Sequence, residues 1–119
     1  MNRRRRSVLV AAPLGAFAAV VGARLETAEA ATSKATAAKA AFNAVETDFR
    51  GGLATCEDVY VWSRRWLDAE RSSNASAAKD HLARMKALET RVKASFNAGT
   101  SKNTDVLRCA FYVAEAEAT

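Results

Sequence analysis

The chain is poor in the residues from which most chemistry is built. Its 119 residues include one histidine, two cysteines, one proline and five glycines. A metal site needs several ligands converging on one point. His81, Asp80, Cys56 and Cys109 could supply them only if distant helices met, and no spacing signals this. Neither a metal nor a cofactor is expected. Nucleophilic catalysis needs a base held against a Ser, Thr or Cys, and the sequence offers a single imidazole and no Gly-x-Ser-x-Gly elbow. Gly-x-Gly-x-x-Gly and Walker-type phosphate loops are absent as well. His81, between Asp80 and Leu82, is read as a solvated side chain on a helix flank. The expectation is a protein that is not an enzyme.

Long apolar runs are also lacking. The run from Ser7 to Gly22 is 16 residues, interrupted by Pro13 and two glycines, whereas a bilayer-spanning helix needs about 20. Arg3 to Arg6 precede it and Ala28-Glu29-Ala30 follows it. That is the layout of a secretory signal peptide cleaved after Ala30. Arg5-Arg6-Ser7-Val8-Leu9 also fits the twin-arginine pattern. A tract of four arginines produces that match easily, so Sec export is the simpler reading, with an uncleaved N-terminal anchor as the alternative. The expected location is the periplasm or cell envelope.

Residues 1–30 carry five arginines and two glutamates, so most of the net charge of +5 belongs to them. The remaining 89 residues hold 13 Lys/Arg against 11 Asp/Glu, a net +2. The high pI is thus largely a targeting signal, and no basic patch supports a nucleic-acid partner. Cys56 and Cys109 would meet an oxidising compartment after export, where they could form a disulfide. The competing reading is two buried free thiols acting as small apolar residues, a role that suits Cys109.

What the sequence has in abundance is helical pattern, and the pattern occurs twice. Phe49-Arg50-Gly51-Gly52 leads into Asp58-Val59 and on to Asp68-Ala69-Glu70; Phe96-Asn97-Ala98-Gly99 leads into Asp105-Val106 and on to Glu115-Ala116-Glu117. The offset between matching residues is 47 throughout, the mark of a duplicated supersecondary unit. Repeat 1 covers about 33–72 and repeat 2 about 76–118 of a helical domain at 31–119.

Thr32-Ser33 is a candidate N-cap, followed by Ala35, Ala38, Phe42, Val45 and Phe49 at helix-seam spacing. Gly51-Gly52 ends that helix, as glycine accepts the left-handed conformation past a helix end. Thr55 caps the next, with Asp58 in its first turn. Val59, Trp62, Trp66 and Ala69 form one stripe along it. They are read as core, or alternatively as an exposed contact face for a partner helix or a membrane boundary. Ser72-Ser73-Asn74-Ala75-Ser76 turns the chain; its match to a glycosylation acceptor is treated as chance. Ala78, Leu82, Met85, Leu88, Val92 and Phe96 mark a third helix, with Arg84 among the charges on its outside, and Gly99 stops it. Ser101 or Thr104 caps a fourth helix, striped by Val106, Cys109, Ala110 and Val113, with Asp105 in its first turn and Leu107 and Phe111 flanking. The acidic endings Asp68/Glu70 and Glu115/Glu117 are read as a solvated face. Short loops make consecutive helices antiparallel. The expected fold is all-α: two antiparallel helical hairpins forming a small four-helix bundle or a coiled-coil-like assembly.

A seam helix, Phe-x-x-Gly, a polar turn, Asp-Val and a late Ala-Glu together resemble the recurring segment of TolC-type outer-membrane efflux proteins. Gly99-Thr100-Ser101 through Asp105-Val106-Leu107 and Ala114-Glu115-Ala116-Glu117 carry the resemblance best; Gly52, Asp58-Val59-Tyr60 and Ala69-Glu70 carry it in the first repeat. The family implies long periplasmic helices and barrel strands. This chain lacks the alternating ten-residue pattern of such strands, so the resemblance covers the helical hairpins alone. It implies an exported, non-catalytic protein that acts by helix–helix association, with itself or with an envelope partner. A second expectation is a periplasmic bundle holding a small apolar molecule among Trp62, Trp66, Phe42 and Phe111.

Overall fold

The computed structural model describes the backbone of residues 15–119 and the side chains from Ser33 onward. Arg3 to Arg6 and the start of the apolar run lie outside the described residues, as do the side chains of Ala28-Glu29-Ala30. The chain divides into two units, Met1–Ala31 and Thr32–Thr119, and the packed core lies in the second. Four helices make up the described residues: α1 (Gly15–Arg50), α2 (Cys56–Glu70), α3 (Ala77–Asn97) and α4 (Asn103–Glu117), with no strand among them. The expected all-α class and its pairing of α1 with α2 and α3 with α4 are both found. Among the described residues no helix is long and apolar enough to cross a membrane.

Two helix starts differ from expectation. Thr32-Ser33 does not cap α1, which runs through it unbroken; Ala30 and Ala31 precede the pair, Lys34 and Ala35 follow it, and neither proline nor glycine ends the preceding turn. The N-cap of α4 is Lys102, not Ser101 or Thr104, and its side chain makes no capping hydrogen bond. By contrast α2 starts as expected. Thr55 Oγ1 accepts from the Asp58 amide at 3.2 Å, and Asp58 Oδ2 accepts from the Thr55 amide at 2.9 Å. This reciprocal capping box satisfies two amides that helix geometry leaves free.

The helix ends at the two hairpin turns match bond for bond. After α1, the amides of Gly51, Gly52 and Leu53 donate to the carbonyls of Thr47, Phe49 and Asp48; after α3, those of Ala98, Gly99 and Thr100 donate to Ala94, Phe96 and Ser95. Gly52 and Gly99 carry the positive φ, +79° and +82°. A Cβ at Gly99 would meet nothing within 4 Å, so only backbone strain opposes a side chain there. Gly99→Val should therefore destabilise by roughly 1 kcal/mol or more. Gly51→Ala, at ordinary φ and ordinary contact distances from the Asp48 and Thr47 carbonyls, should cost much less. Urea denaturation checks the pair; equal losses would mean that the left-handed residue is not what ends these helices.

The core joins all four helices. Phe42, Cys56, Val59, Met85, Leu88, Val92, Cys109, Tyr112 and Ala116 form its buried cluster, with Leu67 fully buried beside Ser63 on α2. Each large apolar side chain buried this way contributes about 1.5–3 kcal/mol. The deepest ladder on α2 is Cys56, Val59, Ser63 and Leu67, one step around the helix from the expected tryptophan stripe. Trp62 and Trp66 are half-buried and pack against the core from its edge. On α4 the buried positions are Cys109, Tyr112 and Ala116, while Ala110 is exposed.

Candidate functional site

Where α2 and α3 cross, the core holds a polar cluster. Ser63 is 0 % exposed and His81 1 %, so His81 is a core residue and not the solvated flank expected for it. It belongs to the ladder Ala77, His81, Met85, Leu88, Val92, which α3 turns toward α2. Ser63 Oγ lies 2.7 Å from His81 Nδ1 and accepts from Arg84 Nε at 2.6 Å; Arg84 Nη2 donates to the Ser63 carbonyl at 3.2 Å. Arg84, expected on the outside, instead folds its guanidinium over the Trp66 ring at 4.0 Å and the Phe42 ring at 5.5 Å. A planar, weakly hydrated cation suits that aromatic wall. Phe42 and Trp66 meet at 5.5 Å between centroids.

A serine hydroxyl beside an imidazole invites a catalytic reading, and the geometry argues against it. His81 Nε2 is buried without a partner, so no carboxylate orients the ring as a general base requires. Burial, with Arg84 and Arg64 nearby, pushes the imidazole down to about 4, far below a base suited to neutral pH. Neither residue lines the polar cleft that the two hairpin turns enclose. The pair holds the core together in one polar arrangement.

A second polar contact ties α2 to α4. Tyr60 Oη donates to Glu115 Oε1 at 2.6 Å and Arg64 pairs with the same carboxylate at 3.2 Å. Glu115 is thus a clasp between helices, not part of the solvated face expected for the acidic endings. Tyr60 also stacks on Tyr112 with centroids 4.1 Å apart. Desolvation and the adjoining carboxylate raise the Tyr60 phenol.

The two hairpin turns enclose a polar cleft of about 880 Å³. Arg50, Arg91, Lys102 and Arg108 line it with hydroxyls from Thr55, Ser95, Thr100, Ser101 and Thr104; Asp105 is its one carboxylate. Gly51, Gly52 and Cys56 lie on its wall, and Gly99 does not. Asp58 closes the α2 cap, whereas Asp105 takes other partners: Cys56 Sγ at 3.7 Å and Arg108 at 3.5 Å. Cys56 and Cys109 are both buried and free. No group of three or more His, Cys, Asp or Glu able to hold a metal occurs among the described residues.

Of the expected contact face, Val59 is buried in the chain's own core and unavailable to a partner, while Trp62 is covered on one side by Arg65 at 4.5 Å. Large apolar side chains are exposed elsewhere: Leu53 in the first hairpin turn, Phe96 near the end of α3, and on α4 the pair Leu107, 62 % exposed, and Phe111, 60 %. Phe111 therefore cannot enclose a ligand with Phe42, Trp62 and Trp66, and none of the four lines the cleft. No protein-family model, curated protein or solved structure matches the chain.

Proposed function

We propose that the protein is an exported, non-catalytic helical module that works by helix–helix association in the cell envelope, its contact face being the outer side of α4. The exposed stripe Leu107, Ala110, Phe111, Ala114 carries the reading. These residues recur at spacings of three and four, so they lie along one side of the helix, and an apolar side left in water is how a helix meets a partner helix. The start, with its charged, apolar and small-residue stretches, supports export. The matched hydrogen bonding after Phe49 and Phe96 supports a duplicated hairpin folded as a four-helix bundle, and with it the likeness to the hairpins of TolC-type proteins.

The partner that the charges favour is a second copy. Lys102 stands at the N-cap of α4 and Arg108 lies in its first half, while Glu117 ends it; Asp105 tempers Arg108, and Glu115 is already held by Arg64 and Tyr60. Acidic residues late in a helix, like basic ones early, run against the helix dipole. An antiparallel copy turns that cost into attraction, setting each basic half against an acidic one; a parallel copy opposes like charges. One helix face buries less than the ~800 Å² per partner of a standard interface, so the dimer should be weak, with a dissociation constant on the order of micromolar. Sedimentation of the full chain over a concentration series is the test. Phe111→Lys should abolish association and leave helicity intact. Glu117→Lys should weaken it and Lys102→Glu in the same chain should restore it. A wild-type chain that stays monomeric, or that keeps an unprocessed Met1 in the cytoplasm of a bacterial host, defeats the reading.

A further inference from the structure

The two thiols of the chain come from different helices and meet beside the cleft. Cys56 is the first residue of α2, directly after its Thr55 cap. Cys109 lies on α4 one turn beyond Asp105, the residue whose carboxylate accepts from Cys56 Sγ. Both belong to the same core cluster, and each thiol is the neighbour that most perturbs the other. Their surroundings differ in a useful way. Cys56 lines the cleft and Cys109 does not, so a molecule arriving from solvent reaches Cys56 first. The neighbouring Cys109 thiol holds Cys56 below the ordinary thiol range, against burial and the Asp105 carboxylate, while Cys56 and burial push Cys109 up. A helix N-terminus next to arginine is also where thiolates are favoured.

We propose that Cys56 and Cys109 are an attacking and resolving thiol pair that closes to an intramolecular disulfide by exchange with a small anionic disulfide admitted to the cleft. The cleft offers Arg50, Arg91, Lys102 and Arg108 to such a molecule, and its volume takes a compound of peptide size. Cys56 thiolate attacks one sulfur of the small disulfide, giving a mixed disulfide and releasing one small thiolate. Cys109 then gives up its proton and attacks the Cys56 sulfur, and the second small thiolate leaves. The two thiol protons end on the two released thiols. The protein dithiol has lost two electrons and the small disulfide has gained them. The bond formed fixes the start of α2 to the middle of α4, joining one hairpin to the other. Nothing in this exchange depends on the α4 face or on dimer formation.

The test incubates the reduced full chain with oxidised glutathione, quenches with an alkylating reagent and reads intact mass. The wild type should lose both alkylatable thiols and retain no glutathione. Cys109→Ser should stop at one glutathione on Cys56, and Cys56→Ser should leave Cys109 unmodified. Arg91→Glu should slow closure several-fold with oxidised glutathione and leave the rate with the neutral hydroxyethyl disulfide unchanged. Buried thiols that serve packing alone would react in urea and not in buffer, and that result overturns the proposal. So does modification of Cys56→Ser at the wild-type rate, or closure between chains in place of within one.

Discussion

Ser63→Ala is expected to destabilise the domain by about 2–4 kcal/mol, although it removes one oxygen atom and no apolar surface. That oxygen accepts from a guanidinium and meets an imidazole nitrogen at the same time. A hydrogen bond to a charged group contributes about 1.5–3 kcal/mol, and a buried polar atom left without a partner costs about 1–3. Arg84 reaches the surface of the core and recovers part of its loss from water; His81, at 1 % exposure, cannot. Urea denaturation followed by circular dichroism gives the number, and a double-mutant cycle with His81→Leu isolates the coupling. If Ser63→Ala costs under about 0.5 kcal/mol, the surface-like value, the cluster is not what fixes α2 against α3.

Acid should destabilise the domain through His81 in a defined window. The imidazole titrates at about 4 in the fold against 6.5 for the ordinary group, so the unfolded chain takes up the proton first. Its contribution to stability is complete above pH 6.5, falls as pH drops from 6.5 toward 4, and changes no further below. Two and a half pKa units correspond to about 3 kcal/mol of that loss by pH 4. Arg84 and Arg64 oppose protonation of the ring while Glu115 and Asp68 favour it, with the neutral Tyr60 ring facing it from α2. Stability of the wild type and of His81→Gln, measured from pH 7 to pH 4, separates this proton from the carboxylates that titrate over the same range. Parallel curves for the two chains would show that His81 is not the group responsible.

The helices were legible because their limits are written in local chemistry. Gly52 and Gly99 take φ values that other residues avoid, and Thr55 with Asp58 is a cap that needs no tertiary context. The core ladder was legible to within one step of rotation. Trp62 and Trp66 drew the eye to one stripe of α2 by size, whereas the buried line passes through Cys56, Val59, Ser63 and Leu67. The polar cluster went unseen for a related reason. Ser63 and His81 sit at core positions of their helices, but each is a residue type usually found in water, and only their meeting makes burial tolerable. The spacing held the signal. His81 is four residues from both Ala77 and Met85, and Ser63 is four from both Val59 and Leu67. The pairing of Cys56 with Asp105 and the clasp on Glu115 depend on how α2 lies against α4, which no local pattern encodes.

The two hairpin turns share one way of ending a helix and differ in how they begin the next. At α2 a threonine and an aspartate hold the first amides; at α4 a lysine stands in the threonine's place and has no acceptor to offer. Two halves of similar design therefore breathe unequally. The first turn of α4, at Lys102–Asp105, is expected to fray at lower free energy than that of α2. That looser start lies on the wall of the cleft, to which Lys102, Thr104 and Asp105 all contribute.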